Sequence, residues 1–201
     1  MVDWPLHQVV DYLKKRDKDG KSDAQDIRMY CRSTVKSLVE AVDWSAKSYG
    51  TSRNQMCRWL SYHGIAFARE DPTISEMVRV QALLRDVCLP EDDTDTLDMM
   101  KSMIPYSPRV VDENEVHIHL YDSWVSSEFE ETSRVCGVYK YRVVQVFLIK
   151  SLLTDDADKL GAVAERLRSE LSRWDKWMAF RLAALEGLVR QKGKSGIRTS
   201  G

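Results

Sequence analysis

The chain has 201 residues, 43% of them hydrophobic and 30% charged, with a formal net charge of −1. That is an ordinary globular composition, enough for one large domain or two small ones, and its near-zero charge excludes a polyelectrolyte drawn to nucleic acid by overall basicity, so any such contact needs a local patch. Four cysteines stand far apart without a Cys-x-x-Cys pair, which points to buried reduced thiols, and no leader-like segment or bilayer-length apolar run is visible, so the chain reads as cytoplasmic.

Residues 1–25 read as an N-terminal arm. Asp3 and Pro5 suit the start of a short helix, with Leu6, Val9, Val10 and Leu13 on one stripe. Lys14, Lys15, Arg16, Lys18 and Lys21 follow, diluted by Asp17 and Asp19. Such an arm either touches phosphates, with Lys14 and Lys15 as contacts, or is a solvated linker.

Residues 26–68 form the first unit. Ile27 to Cys31 alternate with Arg28, Tyr30 and Arg32, a period of two that reads as one short strand. Ser33 and Thr34 are cap types, and Leu38, Val39, Val42, Ala46 and Tyr49 give one helical face, stopped by Gly50. Thr51 and Ser52 begin a second helix with Met56, Cys57, Trp59 and Leu60 available for burial.

Strand, helix, Gly-Thr-Ser-Arg-Asn, helix resembles the ribbon-helix-helix family of DNA-binding regulators, reading one extra residue near Ser33. The resemblance implies a mainly α protein whose two-stranded antiparallel ribbon enters the major groove. It implies base readout by Arg28, Tyr30 and Arg32, and a phosphate clamp at Thr51, Ser52, Arg53 and Asn54. Arginine forked onto guanine and a helix start facing an anion are both sound chemistry for those roles. Simple capping by Ser52 or Thr51 is the plainer alternative.

Residues 69–112 read as a helical connector. Thr73-Ile74-Ser75-Glu76 has the form of a capping box for a helix through Val87, and Pro90 ends it. The acidic run from Glu91 lacks the ligand spacing of a calcium loop.

Residues 113–153 form a second unit. Val116 to Tyr121 alternate again, placing His117, His119 and Tyr121 on one face as further base-reading candidates. Two helices follow around Gly137. With Gly137 laid on Gly50, Val125 falls on Leu38, Phe129 on Val42, Val143 on Met56, Val144 on Cys57 and Phe147 on Leu60. This reads as a tandem repeat whose two strands pair within the chain as a pseudo-dimer. His117-x-His119 could hold a metal with Asp122 or His63, but no second ligand cluster supports it, so no metal and no cofactor are expected. Nothing resembles a catalytic set, so the chain does not read as an enzyme.

Residues 154–192 read as one long C-terminal helix. Leu160, Leu167, Trp174 and Leu188 recur in one heptad register, and Ala164, Leu171, Met178 and Leu185 in another. That pattern suits self-association, or a helix folded back on the core with Trp177 and Phe180 widening its apolar face. Residues 193–201 read as a disordered tail. Two functions follow: a sequence-specific transcriptional regulator, a repressor among the possibilities, whose partner is double-stranded DNA; or a protein–protein adaptor or assembly protein using the aromatic C-terminal helix. Neither involves a membrane or a small-molecule substrate.

Overall fold

The fold is taken from a computed structural model, which describes residues 5–18, 36–87, 123–155 and 157–196. Eight helices lie among them: α1 Leu6–Lys18, α2 Lys36–Ser48, α3 Arg53–Glu70, α4 Pro72–Val87, α5 Ser123–Cys136, α6 Lys140–Asp155, α7 Ala157–Leu160 and α8 Ala162–Gly196. No described residue is in a strand.

Two helices are central because their sequences are apolar on every side. In α3 every residue from Met56 to Ala66 is buried, and in α6 every residue from Val143 to Ile149. They form the most extensive helix pair, with the other helices packed around them. At their crossing a Cβ on Gly64 would lie 2.8 Å from the Phe147 Cβ and 2.9 Å from the Phe147 carbonyl oxygen. Reciprocally, the buried Ser151 hydroxyl donates to the Leu60 carbonyl at 3.0 Å. Gly64 and Ser151 each stand fourteen residues after their hairpin glycine, and Leu60 and Phe147 each stand ten after. The crossing therefore has approximate twofold symmetry, with a small residue on each helix pressed against the other's backbone.

The α2–α3 and α5–α6 turns share one construction. Gly50 and Gly137 have φ of 61° and 58°. The glycine N–H donates to Lys47 or Arg134, and the next N–H donates to Ala46 or Ser133. This double C-terminal cap needs a left-handed residue, which glycine supplies without steric cost. Asp43 braces Arg53 across the first turn, and Glu130 braces Lys140 at the matching positions of the second.

The β-ribbon expected from the sequence is overturned, and with it the ribbon-helix-helix assignment. The described protein is helical throughout, and helices do the covering that a ribbon was expected to do. Leu6, Val9, Val10 and Leu13 of α1 are buried, and α1 packs on α3. Met77, Val80 and Leu84 of α4 and Ala164, Leu167 and Met178 of α8 are buried as well. With so much helical surface available, the hairpins need no strand to close their core. Residues 27–32 and 116–121 lie outside the described residues, as do Arg28, Tyr30, Arg32, His117, His119 and Tyr121.

Smaller corrections concern helix ends. The cap of α4 is Asp71, whose Oδ1 accepts from the N–H groups of Thr73 and Ile74, while Glu76 turns to Arg79. Asp71 also takes an ion pair from Lys150 at 2.6 Å, tying α6 to the α3–α4 corner. The helix expected over 154–192 is interrupted at Gly161, where φ is 53°, and its last segment continues to Gly196 instead of giving way to a tail at 193.

Candidate functional site

Residues placed at the phosphate by analogy are engaged in holding the fold. Ser52 caps α3, its hydroxyl accepting the Gln55 N–H at 3.3 Å. The Arg53 guanidinium makes two hydrogen bonds to Asp43, and the first raises its pKa above the ordinary arginine range. A phosphate at this corner would compete with a carboxylate already in place. Thr51 and Asn54 flank it, half-buried and exposed. Lys14 lies over the Trp59 ring, 5.3 Å from its centre, and Lys15 is exposed. His63 is buried with its ring edge on Phe67, and no group of three metal-ligating side chains occurs among the described residues.

Most described arginines carry a carboxylate partner. Arg69 pairs with Glu128, Arg79 with Glu76, Arg134 with Glu131, Arg166 with Glu40, Arg173 with Glu170 and Arg190 with Glu186. Such a surface has little uncompensated positive field for a polyanion.

The side chains that stand out are aromatic. Both heptad series of the C-terminal helix are spent inside the chain: Leu160, Ala164, Leu167, Trp174, Met178 and Leu185 are buried, and α8 packs on α2, α4 and α6. The helix is folded back on the core, and another face looks outward. Arg173, Lys176, Phe180, Ala183 and Gly187 follow at steps of three and four along it, and Phe180 is 71% exposed.

Beside that face, α8 meets the second hairpin's turn through a buried side chain. Arg181, next to Phe180, is buried with its guanidinium against Gly137, where a Cβ would come within 1.7 Å of Nη2. Burial lowers the Arg181 pKa from the ordinary range, with nearby Cys136 opposing. The same guanidinium lies over the Trp177 ring at 5.1 Å, and Trp177 packs on Trp174 at 5.6 Å. Two residues past Gly137, Tyr139 is 53% exposed and stacked on Tyr141, ring centres 5.8 Å apart. Arg142 covers the Tyr141 ring at 5.7 Å. Arg181, under Trp177, thus joins α8 to the α5–α6 turn, with Phe180 next to it in sequence and Tyr139 two residues past Gly137.

Charged side chains on α8 and α5 are largely paired within their own helix or turn: Arg173 with Glu170, Glu131 with Arg134 and Glu130 with Lys140. Arg173 and Lys176 lie on the α8 side, where Lys176 makes no ion pair among the described residues. Glu130 and Glu131 lie on the α5 side, their side chains 76% and 60% exposed. The sequence showed Phe180 only as a wider apolar face; its exposure follows from the direction in which α8 folds back, which periodicity does not encode. Tyr139 carried no signal beyond the loss of a hydroxyl cap.

No protein family, curated protein or solved structure matches this chain. Among the described residues no helix is long and apolar enough to cross a membrane.

Proposed function

We propose that this chain is a helical association module, an adaptor or assembly protein that works through the aromatic junction of α8 with the α5–α6 turn. The observation that carries it is Phe180 on the outward face of α8, 71% exposed against 53% for Tyr139 and 50% for Tyr12 among the described residues. Tyrosine, tryptophan and phenylalanine with arginine are the residue types that anchor protein interfaces. The surface elsewhere is laced with ion pairs, which gives the adaptor reading more support than the DNA-regulator reading among the described residues.

A paired experiment tests it. A photo-crosslinking amino acid is placed at position 180, and at exposed Asp158 as a control, in cells producing the protein. In parallel, the purified chain is titrated onto duplex DNA pools at low and high salt. The expected result is a discrete, saturable protein adduct from position 180 alone, with DNA binding that shows no sequence preference. A sequence-selective DNA complex together with no adduct at 180 overturns it in favour of a regulator.

A further inference from the structure

We infer that the partner of the outward α8 face is an acidic segment of another protein. The inference rests on the association reading and adds the partner's chemistry. Lys176, Phe180, Ala183, Gly187 and Gln191 follow at steps of three and four on the one helix from Ala162 to Gly196, so helix geometry alone places them on one face. The middle of that face offers apolar contact: Phe180 is 71% exposed, Ala183 is exposed, and nothing lies within 4 Å of a Cβ built on Gly187. Its ends are basic. Lys176, about 6 Å before Phe180 along the axis, makes no ion pair among the described residues. From Gly187 onward the sequence carries Arg190, Lys192, Lys194 and Arg198 and no carboxylate, and of these Arg190 is taken up by Glu186.

Arg166 and Arg173 share that side of α8 but add nothing, because Glu40 and Glu170 already neutralise them. The nearest carboxylates of α8, Asp175 and Glu186, stand about a third of a turn away from Phe180. An exposed aromatic between basic ends selects a partner whose apolar contact is bordered by Asp and Glu, and it repels a basic one. The net charge of the whole chain is −1, so the four bases after Gly187 leave the remainder net negative. That remainder repels an extended polyanion, such as an anionic membrane or a nucleic-acid duplex, and leaves a short acidic segment as the partner that fits.

The test places the photo-crosslinking amino acid at position 180 of the full chain in producing cells and identifies the crosslinked peptide by mass spectrometry. The expected adduct maps to a segment in which Asp and Glu outnumber Lys and Arg. Lys176→Glu with Lys194→Glu and Arg198→Glu should lower its yield at least about tenfold. Lys15→Glu with Lys36→Glu and Lys47→Glu, which changes the net charge equally at exposed sites elsewhere, should leave the yield within about twofold. Both variants should melt cooperatively; if the first does not, glutamine at the same three positions replaces it, with a smaller loss expected. An adduct that survives the first set of changes, or one that maps to a neutral or basic segment, overturns the acidic-partner inference and leaves the association reading standing. Absence of any protein adduct at 180 overturns both. Absence of an adduct together with flotation of the purified chain on phosphatidylserine but not phosphatidylcholine vesicles, or with DNA binding lost in the first variant, assigns the face to a lipid or nucleic-acid surface instead.

Discussion

Gly64 and Gly187 are both helical glycines, yet alanine should act on them in opposite directions. In a helix, alanine is favoured over glycine by roughly 0.5–1 kcal/mol. At Gly187 nothing lies within 4 Å of an added Cβ, so that gain should appear nearly whole. At Gly64 the new methyl would sit 2.8 Å from the Phe147 Cβ and 2.9 and 3.1 Å from its carbonyl oxygen and carbon. Two of those three atoms are backbone and cannot rotate away, so α3 and α6 must separate along the pair that forms the centre of the core. Overpacking of this kind costs about 1–3 kcal/mol, which outweighs the propensity gain and leaves a net loss near 1–2 kcal/mol. At roughly 2–4 °C per kcal/mol for a chain of this size, Gly64→Ala should lower Tm by about 2–8 °C and Gly187→Ala should raise it by about 1–4 °C. Helical circular dichroism followed through a thermal melt measures both. If Gly64→Ala melts at or above the parent temperature, the two central helices do not meet where the twofold crossing requires, and the argument from Gly64 and Ser151 fails.

The other predictions concern caps, turns and thiols. Asp71→Asn should keep the α4 cap but lose the partly buried ion pair with Lys150, costing about 1–2 kcal/mol, whereas Asp71→Ala should lose both and cost about 2–4, and equal midpoints in urea for the two would contradict this division. Gly50→Ala should cost only the roughly 1–2 kcal/mol of a left-handed alanine, since its Cβ meets open space, while Gly137→Ala must also displace the buried Arg181 guanidinium and should cost clearly more by the same titration. Burial pushes the Cys57 and Cys136 thiols up to about 12, so in a Cys31→Ser, Cys88→Ser background a thiol reagent at pH 8 should react only as fast as the chain opens. The same two thiols ionise near 8.5 when unfolded, so the folded chain holds the extra protons between the two values and stability should fall as pH rises from about 9 toward 12. Replacing both by alanine should flatten that slope; an unchanged slope would mean that other groups set it.

Apolar spacing disclosed the helices because burial on one face writes itself into steps of three and four. The glycine stops at 50 and 137 were equally legible, since a left-handed cap restricts the residue type. Six alternating residues such as Ile27 to Arg32 carry far less information, and a strand read there also assumed that two helices could not find cover elsewhere. The cover came from Leu6 to Leu13, Met77 to Leu84 and Ala164 to Leu185, segments whose stripes were visible but whose docking partners were not. The heptads of α8 show the same ambiguity: a stripe states that a face is buried, and leaves open whether the burial is within the chain or between chains. Asp71 was hidden for a different reason, because Thr73 through Glu76 already satisfied a capping pattern and the better cap stood two residues earlier.

The two hairpins share what their packing demands and differ where packing makes no demand. Both keep the glycine cap, the brace across the turn and a small residue at the crossing, since each supports the same pair of buried helices. At the first turn Gly50 faces open space and Ser52 and Arg53 are taken up by capping and by Asp43. At the second, Gly137 receives Arg181 from α8, and Tyr139 and Tyr141 stand where the first has Ser52 and Asn54. The helix α8 packs on α2 of the first hairpin and on α6 of the second, but its Arg181 reaches the turn of the second alone while Gly50 of the first faces open space, and this difference breaks the approximate symmetry. The shared features account for the common frame of the two hairpins, and the second turn departs from the first where Arg181 of α8 enters it.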